Sequence, residues 1–233
     1  SRLSFRPSLY LATACAVGAV GNGFRESDLN LAISLACQDE LARHGVLTKM
    51  SRVKDEKDPL SEEVQECNAF NPDLAVEIHN NAGGGDGIEV FHSINGGTGA
   101  TLAVNIITEV KKIGQNSRGV KTRKNSSGGD HYGWIKNTKA PAVIVECAFV
   151  DNKKDIQIID TKAEQIAMGV AIAKGVLKTL GVTYKEEAPA VKEEPKKEET
   201  KLYRVQVGAY AVKANADAML KKLEAAGFKG YIV

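Results

Sequence analysis

At 233 residues the chain has room for one medium domain and a smaller unit beside it. Its 43% hydrophobic and 26% charged residues are ordinary for a globular protein, and a formal net charge of +2 excludes a strongly basic nucleic-acid binder or an electrostatic membrane anchor. Four scattered cysteines, Cys15, Cys37, Cys67 and Cys147, form no C-x-x-C pair, which argues against a zinc ribbon or redox motif and leaves them as small buried hydrophobes.

Taken in chain order, Arg2 and Arg6 precede an apolar run at 9–20. That run fits a short signal peptide or a buried first strand, and it is too short to cross a bilayer as a helix, so no membrane insertion is expected. Leu29, Ala32, Ile33, Ala36 and Cys37 recur at helical spacing, with His44 in the last turn and Gly45 as the stop. Residues 46–50 read as a strand. Leu60, Val64 and Cys67 read as a second helix. Leu74, Val76 and Ile78 alternate with Ala75, Glu77 and His79, the period of a strand. After a glycine-rich turn at 83–87 comes a strand at 88–91, then a helix marked by Leu102, Ile106, Ile107 and Val110. The unbroken apolar run 142–145 predicts a strand buried on both faces, and 166–180 a long helix ended by Gly181. This alternation predicts an α/β domain with a mixed, mainly parallel sheet flanked by helices.

The composition then changes. Eleven of the seventeen residues 185–201 are Lys (five) or Glu (six), too polar to bury, so a solvated linker is expected over 184–201. Beyond it, residues 202–209 alternate like a strand, 214–226 form an amphipathic helix, and 230–233 begin another strand. A β-α-β unit of this size does not close a core alone, so the module reads as cut short.

In parallel sheets chemistry gathers at the carboxyl ends of the strands. His79, in E-I-H-N-N-A, closes the strand at 74–79 beside a glycine-rich loop; a metal ligand, a base and a structural histidine are equally compatible with it. Glu146 follows four apolar residues, so desolvation should raise its pKa toward the range of a general acid–base; a buried salt bridge to Lys139 or Lys153 is the structural alternative. Glu26 opens the first helix, where the helix dipole alone would favour a carboxylate. One histidine and two glutamates on separate elements make a set suited to a hydrolytic zinc site.

Four segments carry a resemblance. G-A-V-G-N-G-F-R-E-S-D-L-N-L at 18–31, D-L-A-V-E-I-H-N-N-A at 73–82, S-R-G-V-K at 117–121 and P-A-V-I-V-E-C-A-F-V-D-N at 141–152 resemble, in order and separation, zinc-dependent N-acetylmuramoyl-L-alanine amidases. The resemblance covers 18–181. It implies cleavage of the amide between N-acetylmuramic acid and L-alanine of the peptidoglycan stem peptide. It implies Zn2+ held by Glu26 and His79, Glu146 as the catalytic acid–base, and Asn81 and Arg118 at the substrate. The amidase domain is expected over 18–183. Residues 202–233, with L-Y-R-V-Q-V-G-A-Y and N-A-D-A-M-L-K-K-L, resemble the start of a SPOR domain, a peptidoglycan-binding module. Peptidoglycan is therefore the expected partner, the cell wall or cell exterior the expected location, and a monomer the expected state.

The sequence departs from the family at 1–17. Where the family has a strand, a G-H-G turn carrying the first zinc ligand, and D-P-G, this chain reads S-L-Y-L-A-T-A-C-A-V at 8–17, and its first histidine is His44. Three explanations stay open: a shifted reading frame that rejoins near Gly18, a relative with little or no activity that still binds peptidoglycan, or a substitute ligand such as His131.

Overall fold

The computed structural model describes residues 6–13, 18–54, 56, 59–186, 207–209, 211–228, 230 and 232. They fall into two compact units, 1–186 and 187–233.

In chain order the first unit holds β1 (Ser8–Thr13), a small hairpin of β2 (Val20–Gly21) and β3 (Phe24–Arg25), α1 (Glu26–Arg43), β4 (Leu47–Met50), α2 (Leu60–Phe70), β5 (Leu74–Asn81) and β6 (Ile88–His92). It continues with α3 (Thr98–Lys112), β7 (Ser117–Lys121), α4 (Gly133–Asn137), β8 (Ala142–Phe149), a 3-10 turn (Asp155–Ile158) and α5 (Lys162–Leu180). The six-stranded sheet runs β4-β1-β5-β8-β6-β7, all neighbours parallel except the antiparallel pair β6–β8. The expected mixed, mainly parallel sheet is what forms.

β1 pairs with β4 on one side and β5 on the other, and residues 9–13 are fully buried. A strand enclosed on both edges and both faces carries no polar stripe, which is why 9–13 looked as much like a signal peptide as a strand. α1, α3 and α5 cover one face of the sheet, over Leu9, Leu11, Val76, Ile78, Val143 and Val145. α5 lies close against its neighbours because it has glycines at the contacts. A Cβ on Gly169 would meet the Ile33 carbonyl of α1 at 2.5 Å, and one on Gly175 would meet the Ile106 backbone of α3 at 2.6 Å. α5 itself begins with a capping box in which Thr161 and Glu164 satisfy each other's backbone N–H.

The opposite face is covered differently. Tyr10, Ala75, Ala142 and Ile144 pack under Cys67 of α2 and Trp134 and Ile135 of α4. Trp134 is fully buried and its indole N–H donates to the Val143 carbonyl at 3.2 Å. Further along that face, toward the carboxyl ends of β1, β5 and β8, the residues change from apolar to ionisable.

Two sequence expectations need correcting. His79 and Glu146 do not close their strands: β5 runs on to Asn81 and β8 to Phe149. Pairing resumes past both residues at Asn81 opposite Phe149, after a register shift that follows His79. The hairpin β2–β3, strand β7 and helix α4 have too few apolar repeats to show in the sequence pattern.

Cys37, Cys67 and Cys147 are free and buried, as the sequence predicted; Cys15 lies outside the described residues. In the second unit α6 (Lys213–Ala225) forms where a helix was expected, with no buried residue. Most of 202–209 and the ends of 230–233 lie outside the described residues, as does 187–201 within the expected linker. Among the described residues no helix is long and apolar enough to cross a membrane.

Candidate active site

Because side chains alternate along a strand and pair across strands, the register places one row of side chains together. Glu77 and His79 share a face of β5. His79 is paired with Glu146 on β8, and Glu146 with Glu89 on β6. Ala12 of β1 lies opposite Glu77. Paired positions on neighbouring strands are about 5 Å apart.

Glu26 joins this row from a different layer. The β2–β3 hairpin rests on the end of β8: Asn22 donates to the Val150 carbonyl at 2.8 Å, and a Cβ on Gly21 would meet that carbonyl at 2.6 Å. The hairpin thereby delivers the first residue of α1 to the sheet's edge. One Glu26 oxygen accepts from the Ala19 N–H at 2.9 Å; the other lies 3.1 Å from Nδ1 of His79 and accepts from the Asn80 N–H at 3.3 Å. Gly18 leaves room for this, since a Cβ there would stand 2.7 Å from the Glu26 carboxylate. The far nitrogen of the imidazole, Nε2, lies 3.4 Å from Glu77.

These contacts set the ionisation of the group. Burial pushes Glu26 up, but the hydrogen bonds from His79 and Ala19 outweigh it and hold the carboxyl below its usual value. Burial alone would lower His79; its hydrogen bonds to Glu26 and Glu77, with the charges of Glu77 and Glu146, hold the imidazolium well above its usual value. Glu146 is different. Burial raises it to about 7; the attraction of His79 opposes this, and the charges of Glu26, Glu77 and Glu89 add to it. Among the described residues its carboxylate makes no hydrogen bond or ion pair, and neither Lys139 nor Lys153 reaches it. A desolvated, unpaired carboxylate with a pKa near neutrality is the profile of a proton-transfer group.

The residues fit a zinc ion in part. Two ligands each about 2.1 Å from a tetrahedral ion stand about 3.4 Å apart, close to the 3.1 Å between Glu26 Oε1 and His79 Nδ1. Glu77 on Nε2 is the outer carboxylate that metal-bound histidines use to fix their orientation. Among the described residues no third His, Cys, Asp or Glu joins this pair in a group that could hold a metal ion. His131 is exposed, its ring set edge-on to Tyr132, and belongs to no such group. Residues 14–17, next after β1, lie outside the described set.

The two expected substrate-side residues are placed unequally. Asn81 Oδ1 accepts from the Ala82 N–H at 2.8 Å and serves its own loop. Arg118, on β7, reaches Glu89 with its Nε, and Lys121 reaches the same Glu89 oxygen at 2.7 Å.

Four supporting residues escaped the sequence reading. Asn80 donates to Asn30 at 2.8 Å and Asn30 to Glu26 at 3.4 Å, a relay that orients the carboxylate. Arg52, almost fully buried, donates to the Thr13 carbonyl at 3.0 Å and the Ser27 carbonyl at 2.8 Å, tying the end of β1 to the first turn of α1. No motif marks Arg52, and Asn30 and Asn80 lie inside the quoted segments 18–31 and 73–82 without having been singled out. Glu77 carried a signal, its i, i+2 spacing from His79 on one strand face.

A histidine between two carboxylates, with a third carboxylate unpaired beside it toward the carboxyl end of an α/β sheet, is a set with the chemistry for acid–base hydrolysis. The comparisons specify the kind. The N-acetylmuramoyl-L-alanine amidase family profile matches residues 13–178, and the SPOR domain profile matches 182–233. The chain is 28% identical over 220 residues to the amidase CwlM of Bacillus licheniformis, and 30% identical over 220 residues to a sporulation-specific amidase of Bacillus subtilis. Each match covers 93% of this chain and 79% of the relative. Among solved structures, Cwp6 from Clostridium difficile superposes with a TM-score of 0.73 at 31% identity, over 76% of this chain and 30% of that one. The chain belongs to the N-acetylmuramoyl-L-alanine amidase family and carries a SPOR-family segment after its catalytic domain.

Proposed function

We propose that this protein hydrolyses the amide between N-acetylmuramic acid and L-alanine in peptidoglycan, with zinc held by Glu26 and His79 and with Glu146 as the proton-transfer group. One observation carries the reading: three chain segments bring Glu26, His79 and Glu146 to one place at the carboxyl edge of the sheet. When bound, zinc supplies polarisation of the scissile carbonyl and an activated water. Glu77 keeps His79 oriented through Nε2, so Nδ1 is the nitrogen available on the Glu26 side. Near pH 7 Glu146 is poised between its two forms, so it can take a proton from water and return it to the departing L-alanine amine. Arg118 and Asn81 contact the stem peptide. The SPOR-family segment binds peptidoglycan and keeps the enzyme at the cell wall, outside the membrane.

The test is release of free stem peptide from purified sacculi, with added zinc and with chelator. Release with zinc, abolished by Glu146→Gln, is expected. A second reading, peptidoglycan binding without turnover, rests on the two-donor metal set among the described residues. No release at saturating zinc, with sacculus binding intact, selects it.

A further inference from the structure

We infer that Arg118, held by Glu89 and Phe149, reads a free carboxylate on the stem peptide, the one on its second residue. The inference rests on the amidase reading and names a specificity determinant within it.

The argument begins with a break in the strand pattern. Between β6 and β7 the register shifts at Ile88/Glu89, and Gly119 takes a φ of +89°. In regular alternation Gly119 and Lys121 would share a face and Arg118 would point to the other. A β-bulge re-aims side chains at such points. Here the result is that Arg118 and Lys121 both reach the same oxygen of Glu89. Glu89 is the residue paired with Glu146, so the bulge brings two cations to the end of the catalytic row.

Arg118 is fixed at its near end and free at its far end. Its Nε is on Glu89, and its guanidinium carbon lies 5.2 Å from the centre of the Phe149 ring. Phe149 is itself immobilised, buried and pressed against Gly85, where a Cβ would stand 2.3 Å from the ring. Among the described residues the two terminal nitrogens of Arg118 make no hydrogen bond, and the side chain is 41% exposed. A guanidinium clamped through Nε and stacked on an aromatic ring presents its remaining N–H fork in a set plane, the geometry that binds a carboxylate through two parallel hydrogen bonds. Charge agrees. Arg118 and Lys121 together carry +2 against the single −1 of Glu89, leaving a positive end on a row otherwise made of carboxylates.

Distance selects the carboxylate. The Arg118 guanidinium rests on Glu89 of β6, whose position is one strand spacing, about 5 Å, from Glu146, and an extended peptide covers about 3.5 Å per residue. A peptide whose first amide is at Glu146 therefore brings its first or second residue to Arg118. The second residue of the stem, a glutamate linked through its side chain, bears the first free carboxylate.

The experiment is calorimetric titration of the full-length Glu146→Gln chain, which leaves the ligand intact, with two muramoyl pentapeptides differing only in whether that carboxylate is free or amidated. The free acid should bind about tenfold tighter, as befits a charge-assisted bidentate contact. Arg118→Gln should erase the preference. Arg118→Lys, which keeps the charge and can keep the Glu89 pair, should reduce it to threefold or less. Equal binding of the two forms within twofold, or a preference that survives Arg118→Gln, overturns the inference. Stem-peptide release from sacculi by the unsubstituted chain is measured alongside. Equal binding with release intact defeats this inference alone; no binding of either form with no release defeats the amidase reading as well.

Discussion

Glu146→Gln should make the metal-free protein more stable, and only above the pH where a free carboxyl ionises. Burial and neighbouring charge raise Glu146 from 4.5 to about 7. Between those values the folded state holds a proton that the unfolded state has lost, so stability falls as pH rises through the window. Below pH 4.5 both states are protonated and the residue costs nothing. Above about 7 both are ionised and the full cost is reached, about 3 kcal/mol for a shift of this size. Gln carries no charge and escapes it. The value of about 7 is already net of the His79 attraction, so about 2–3 kcal/mol is expected at pH 8.5. For a protein of this size that is about 4–12 °C in Tm. Thermal unfolding of both proteins in chelator, at pH 4.5, 6.5 and 8.5, gives the answer: curves that coincide at the lowest pH and separate progressively. A constant offset at all three values, or destabilisation at pH 8.5, would show that Glu146 is not a desolvated, unpaired carboxylate and would refute the reasoning.

Other expectations follow from the same geometry. Zinc binding near pH 7 should displace about one proton, because the imidazolium of His79, held well above its usual value, must lose its proton to ligate. Calorimetry in buffers of different ionisation enthalpy counts that proton, and His79→Ala should abolish the binding. Asn80→Ala breaks the relay to Asn30 and Glu26 and should cost about 1–2 kcal/mol in urea unfolding, with weaker zinc binding by the same titration. Gly169→Ala places a methyl against the Ile33 carbonyl and should cost about 1–3 kcal/mol, with zinc binding unchanged since α5 does not touch the site.

The sequence by itself settled a good deal. Periodicity gave α1, α3, α5 and the buried strands, because long amphipathic helices and enclosed strands answer mainly to local hydrophobic spacing. The resemblance implied Glu26, His79 and Glu146, and the desolvation of Glu146 was legible from the four apolar residues before it. Tertiary structure alone decided the rest. Glu26 meets His79 only because a hairpin of two-residue strands lies over the end of β8, a contact 53 positions apart in the chain. Arg52 supports the site from outside every motif, and Asn30 and Asn80, though inside the segments that carry Glu26 and His79, form their relay only once α1 meets β5. Arg118 faces the catalytic row because of a bulge at Gly119, and alternation read from sequence would have turned it away. Hydrophobic spacing records which face of an element is buried. It does not record which buried faces of distant segments are brought together, since that depends on register, strand order and the close approach of backbones.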